Sequence, residues 1–280
     1  MNYNQRILKT GLLAVVVTAL FAVFMYRVAE WSNGTNAEMA ASRQTNAGCS
    51  QTVKVIPQMP LGSFDAGLTR YSTIVQIINT SGSSQSITAD FYKEDGTHLE
   101  SPTLPAGTST IAKDAVLVMT GGGREGPGII GWGKITACGA LSFSTFFELR
   151  DAKTNVLLSR VGVAASPANM SSFVIPRIRE VGTGLDVGFA LVNTAASGSV
   201  MVRAELKDTS GQTVATKEML IAGGAHRAGF TKDLFAPLNE AKDGRTYQYV
   251  KFSSNSPTLA AIALAFEGPT QTSFPAEPVP

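Results

Sequence analysis

Histidine, cysteine and tryptophan are scarce in this chain, with two of each among 280 residues. Two histidines without metal-ligand spacing leave little for zinc-type coordination or for proton transfer near neutral pH. His98 follows the Asp95-Gly96-Thr97 turn and His226 follows Gly223-Gly224-Ala225, so both read as exposed turn residues. An excess of one charge is also missing: 23 Lys and Arg face 21 Asp and Glu, for a net charge of +2. That balance supplies no basic field to collect phosphates and excludes nucleic acid as the expected partner. No nucleophile-elbow sequence accompanies the many serines. The stretch Gly121-Gly122-Gly123-Arg124-Glu125-Gly126-Pro127-Gly128 has the glycines of a phosphate loop but not its Lys-Ser or Lys-Thr ending. Asp90, Glu94 and Asp95 resemble part of a calcium loop, yet strand alternation and a turn account for them as solvated carboxylates. The chain therefore reads as non-enzymatic, without a metal or cofactor, and a small-molecule ligand is not expected.

Long apolar runs are equally rare, and the exception is at the N-terminus. Arg6 and Lys9 precede Gly11–Tyr26 (GLLAVVVTALFAVFMY), which carries no charge. Continued to Trp31, this run is long enough as a helix, about 30 Å, to span the hydrocarbon of a bilayer. Tyr26 and Trp31 suit the interface, and the preceding cations predict a cytoplasmic N-terminus. Small residues at a cleavage site are poorly specified in Arg27-Val28-Ala29-Glu30-Trp31, which favours an uncleaved anchor over a signal peptide. Ala47-Gly48-Cys49 ends like a lipidation box, but Asn46 stands where leucine is required. Residues 1–31 are thus the expected membrane anchor or signal segment, with the membrane contacted through residues 11–31. Residues 32–50, polar and aperiodic, are a flexible linker. All that follows is expected on the periplasmic or extracellular side.

What is abundant is glycine, 27 residues, with many Ser and Thr between short apolar runs, which is the composition of turns and strands. Val200, Val202, Ala204 and Leu206 alternate with Met201, Arg203, Glu205 and Lys207, a half-buried strand. Leu141, Phe143, Thr145 and Phe147 alternate likewise, whereas Thr258–Phe266 (TLAAIALAF) is an unbroken apolar run suited to a central strand. Laying the second half over the first exposes a repeat of about 115 residues. Val55-Ile56-Pro57 recurs as Val174-Ile175-Pro176, and Ile77-Ile78-Asn79-Thr80 recurs as Leu191-Val192-Asn193-Thr194. Phe91–Gly96 matches Leu206–Gly211, Leu104–Gly107 matches Leu220–Gly223, and Lys134-Ile135-Thr136 matches Lys251-Phe252-Ser253. The fold class is therefore all-β: two tandem immunoglobulin-like β-sandwiches, residues 51–168 and 169–280, preceded by one N-terminal transmembrane helix. Phe230–Leu238 is expected to form one short helical turn, and the proline-rich end Ser273–Pro280 an extended segment over an edge.

The repeat unit has an Asn-Thr after an early strand, an acidic or Ser-Gly turn, a Leu-x-Ala-Gly turn and a late Ser-Ser-Asn-Ser-Pro. It resembles bacterial extracytoplasmic immunoglobulin/fibronectin-like β-sandwich repeat domains, best over residues 170–280. That resemblance implies spacers, adhesive units or subunits of envelope assemblies more than an activity. The expected function is a membrane-anchored accessory or scaffold subunit of a larger membrane or envelope complex, with protein partners. The alternative is a secreted or surface recognition module for carbohydrate or protein, which calls for exposed aromatics, with Trp132, Tyr247 and Tyr249 the candidates. The glycine-rich loop with Arg124, followed by Trp132, is the candidate partner-binding loop. Cys49 and Cys138 suit an oxidising compartment and a disulfide tying the linker to the first sandwich. Sequons at Asn33, Asn79 and Asn169 would matter only where such sites are glycosylated.

Overall fold

A computed structural model of the chain describes residues 51–99, 106–122, 127–180, 185–236, 245–267 and 270–279. The expected anchor (1–31) and linker (32–50) lie outside the described residues, and no helix among those described is long and apolar enough to cross a membrane. The described chain is all-β and antiparallel. Its first half holds β1 (Gln51–Leu61), β2 (Thr69–Asn79), β3 (Gln85–Lys93), β4 (Gly107–Ile111), β5 (Val116–Gly122), β6 (Ile129–Cys138), β7 (Leu141–Asp151) and β8 (Leu157–Val163). These form sheet 1, ordered β1-β6-β3-β4, and sheet 2, ordered β5-β2-β7-β8. The second half holds β9 (Ser172–Glu180), β10 (Asp186–Asn193), β11 (Ser199–Lys207), β12 (Thr213–Ala222), β13 (His226–Phe230), α1 (Thr231–Leu234), β14 (Arg245–Ser254), β15 (Leu259–Glu267), β16 (Thr270–Pro275) and β17 (Glu277–Pro278). Sheet 3 is β12-β11-β14-β9-β17 and sheet 4 is β13-β10-β15-β16. Adding eight to each strand number of the first half reproduces the order of the second, and only β17 is extra.

The shared sequence motifs keep the same register. Val55 stands opposite Lys134, as Val174 stands opposite Lys251. The recurring Asn-Thr has a structural reason. Asn79, fully buried, donates its amide to the carbonyls of Ser83, Ile111 and Ala112, and its oxygen accepts from Ser81. Asn193 donates to Ile221 O and accepts from Ala195 N. One amide thus clamps the turn after the second strand of each half to the end of the fourth, satisfying carbonyls that would otherwise be buried unpaired. This clamp also corrects the sequence alignment: Ile221 corresponds to Ile111, so the match of Leu220–Gly223 with Leu104–Gly107 is displaced by six residues. Gly96 and Gly211, both at φ 84°, take the left-handed position that the matched turns require.

Each half closes on its own core. Ile56, Val75, Ile77, Phe91 and Ile135 meet between sheets 1 and 2, and Phe173, Leu191, Val202, Leu206 and Phe252 between sheets 3 and 4. The layering is that of an immunoglobulin-type sandwich, but the strand order is not. There the first strand lies beside the second; here β1 lies beside β6, and β7 takes the place beside β2. Helix α1 is four residues long and delivers Phe235 to the second core. Past β16 the chain crosses from sheet 4 to sheet 3, buries Ala276 and lays β17 along β9.

Asn79→Ala and Asn193→Ala should each cost about 1–3 kcal/mol, because buried carbonyls lose their donor. Urea unfolding of each variant, read as a lowered midpoint at unchanged slope, checks this.

Candidate functional site

Trp132 does not sit at a loop tip. It is in β6, 2% exposed, stacked on Tyr92 at 4.3 Å between ring centroids, and its Nε1–H donates to the Gly224 carbonyl at 2.9 Å. The partner of this aromatic is the second half of the same chain. Tyr92, Trp132 and Val55 project outward from sheet 1 and pack against Val192 and Ala260 of sheet 4. Alongside them Phe147, Val161 and Val163 meet Ala190, Ala228, Ile262 and Leu264, again of sheet 4. Phe147 is opposite Thr73, in phase with Val75 and Ile77, so it belongs to the inward face of sheet 2. Sheet 4 therefore fills the open flank of the first sheet pair. Ser166 fastens the joint, exchanging backbone bonds with Val55 at 3.0 and 2.8 Å while its Oγ accepts from Ala261 N.

His226 belongs to this seam, which corrects its expected exposure. It is 1% exposed, and its backbone N–H donates to Glu94 O across the halves at 2.9 Å. Burial pushes the imidazole pKa down to about 3, outweighing the nearby Pro57 carbonyl, so the ring is neutral at physiological pH. The Glu94 carboxylate stands 4.0 Å from Nδ1. Two turns touch here: a Cβ on Gly96 would lie 2.8 Å from the Gly224 carbonyl oxygen, so this approach is open to glycine alone. Burial, with Asp90 adding to it, raises the Tyr92 phenol to about 12. A neutral imidazole and a neutral phenol suit packing in a dry seam.

The remaining sequence candidates are dispersed. Arg124 and Cys49 lie outside the described residues. Cys138 is disulfide-bonded, and Cys49 is the chain's other cysteine. Tyr249 is half-buried in β14 opposite Pro176 and Lys207, and Tyr247 stands opposite Ile178 in the same strand. His98 is exposed, its ring 4.9 Å from that of Tyr92. Asp95 accepts from Thr97 N and Oγ1, closing its own turn. The sequon residue Asn79 is buried, whereas Asn169 is exposed. Among the described residues no group of three His, Cys, Asp or Glu is close enough to hold a metal. Asp186 lies 3.0 Å from Lys232 and is buried enough that its carboxyl pKa is raised despite that partner.

Sequence reasoning missed the seam, although a signal was present. β10 is buried at all eight positions and β15 at its first seven, while their counterpart β2 alternates and β7 is buried only at Thr145, Phe147 and Glu148. The matching outward face of sheet 2 has no sheet packed on it among the described residues. It presents Val116 and Val118, 49% and 56% exposed, beside half-buried Ile74, Ile78 and Phe146. At its far end Glu148 sits between Arg150 and Arg160. Burial alone would raise the Glu148 pKa, but hydrogen bonds and charge from both arginines hold it below the usual range.

No protein-family model matches the chain, and no curated protein matches it. Among solved structures, a β-glucuronidase from glycoside hydrolase family 2 is similar at 7% identity with a TM-score of 0.18, over 82% of this chain and 24% of that one. This chain thus spans about a quarter of that protein's length, and a likeness so slight carries no argument.

Two outcomes test the seam. Trp132→Ala should lower stability by about 3–5 kcal/mol, measured by urea unfolding, while the transition stays single because the halves share apolar surface. For His226 the folded pKa lies below the unfolded value, so the unfolded chain binds the extra proton between pH 3 and 6.5. The stability from keeping this ring neutral is complete above pH 6.5 and is lost as pH falls toward 3, about 2 kcal/mol between pH 7 and 5. The difference in pH profile between wild type and His226→Gln isolates that contribution from the carboxylates.

Proposed function

We propose that this chain is a non-catalytic, membrane-anchored extracytoplasmic structural and interaction protein, an accessory or scaffold subunit of a membrane or envelope complex. The observation that carries the reading is the use made of its aromatic and apolar side chains. Trp132, Tyr92 and His226, which could otherwise serve recognition or chemistry, are spent on joining the two sheet pairs, and one surface left open among the described residues is the outward face of sheet 2 near β5. Tandem immunoglobulin-like sandwiches fit this role as spacers and docking bodies, in layering though not in strand order. The apolar run of residues 11–31 supplies the attachment, placing both sheet pairs outside the membrane. The alternative, a recognition module for carbohydrate or protein, loses Trp132, which is buried, and keeps Tyr247 and Tyr249 in β14 as candidates.

Purification from membranes in mild detergent, followed by intact-mass measurement, tests this. The expected result is a full-length chain, residues 1–31 included, recovered with stoichiometric membrane partners. A soluble chain starting beyond residue 31, alone in the extract, overturns it.

A further inference from the structure

Edge strands are where a β-protein must guard against further pairing, and among the described residues the guards are visible on all edges but one. β1 is occupied by Ser166, β8 runs beside β16, and β12 carries Lys217 and Glu218. β13 is five residues with Arg227, and β17 ends in Pro278. β4 is a five-residue strand of Gly, Thr, Ser and one Ile. β5 differs: seven residues, Val-Leu-Val-Met-Thr-Gly-Gly, with neither charge nor proline, paired among the described residues on one side only, with β2.

The orientation of its peptide groups follows from one hydrogen bond. Asn79 N donates to Ala115 O, so Ala115 faces β2. By strand alternation Leu117 and Met119 face β2 as well, and the N–H and C=O of Val116, Val118 and Thr120 point to the open edge. The geometry points to a symmetric dimer in which β5 pairs antiparallel with β5 of a second copy, about a two-fold axis at Val118. Three residue pairs result, Val118 with Val118 and Val116 with Thr120 twice, exchanging about six backbone hydrogen bonds. These pairs are β-branched on β-branched, the kind that stabilises adjacent strands, and they extend the apolar row of Ile74, Ile78 and Phe146 across the axis. Charge agrees with this arrangement. The Lys113–Asp114 corner precedes β5, so the two-fold sets the two corners at opposite ends of the pairing, and the Arg150–Glu148–Arg160 cluster lies two to three strands away. Among the described residues no like charges meet, which is what a second copy requires and a charged partner strand would not match. A head-to-tail chain is disfavoured, because the flank of the second half that would accept the next molecule is closed by Ala276 and β17.

This inference concerns residues 51–279 and stands apart from the anchoring proposal. The full chain in mild detergent is the material for the test. Native mass spectrometry should give a dimer at micromolar concentration, and Val118→Asp, checked for folding by its thermal transition, should shift it to monomer with at least tenfold weaker association. Val118→Cys should form a disulfide-linked dimer under mild oxidant, while Val214→Cys, equally exposed on β12, should not. A monomer throughout, no crosslink above that control, or a dimer that survives Val118→Asp overturns the pairing, whether or not the chain proves to be membrane-anchored.

Discussion

The structure depends on one sheet being buried on both of its faces. Sheet 4 turns Val187, Phe189, Leu191, Leu259, Ala261 and Ala263 toward sheet 3, and Ala190, Val192, Ala260, Ile262 and Leu264 toward the first half. A strand with apolar residues on both faces cannot be satisfied by a single two-layer sandwich, so a third layer is obligatory. The alanines of β15 let that layer approach closely. Even at about 1.5 kcal/mol for each of Val55, Phe147, Val161, Val163, Val192, Ile262 and Leu264, the seam gains roughly 10 kcal/mol before ordering costs. That is the scale of a whole domain's net stability, so the two halves behave as one body rather than as beads on a linker.

Duplication explains the shape of each half, and asymmetry distinguishes how their flanks are covered. In the first half the flank where β7 and β8 extend their inward face is filled by sheet 4. In the second half the equivalent flank is filled by the chain itself: Phe274 packs on the core, Ala276 enters it, and β17 pairs with β9. A short strand thus does for the second half what an entire sheet does for the first.

Much of this architecture was legible in the sequence, because the strand signal is local. The alternation of Val200, Val202, Ala204 and Leu206 is a property of nine consecutive residues, and the register of Val55 with Lys134 recurs because the repeat preserved both sides of the ladder. The strand exchange between β1 and β7 was not legible, since no residue announces which sheet a strand joins. Trp132 and His226 were misread for a related reason. Each follows glycine-rich sequence that looks like a solvent-exposed turn, and only the docking of the Gly96 turn against the Gly224 turn makes both places dry. The disagreement between β10 and β2 was the available clue: matched strands of a repeat that differ in periodicity must differ in what covers them.

The same comparison bears on what the molecule does. A duplicated domain begins with two copies of every surface, and the copies diverge where their surroundings diverge. The outward face of the second half's sheet has small residues, Ala190 and Ala260, and an internal partner. The first half's equivalent face carries Val116, Val118, Ile74 and Ile78, with no charge along β5. An open edge of that kind carries an aggregation cost in any secreted or membrane-tethered protein, and one lysine would remove it. Its persistence beside edges that are each covered, shortened or charged is best explained by use. Under the pairing proposed above, the exposed backbone and apolar side chains of β5 form the contact, on a body whose two halves are joined by the buried aromatics of the seam.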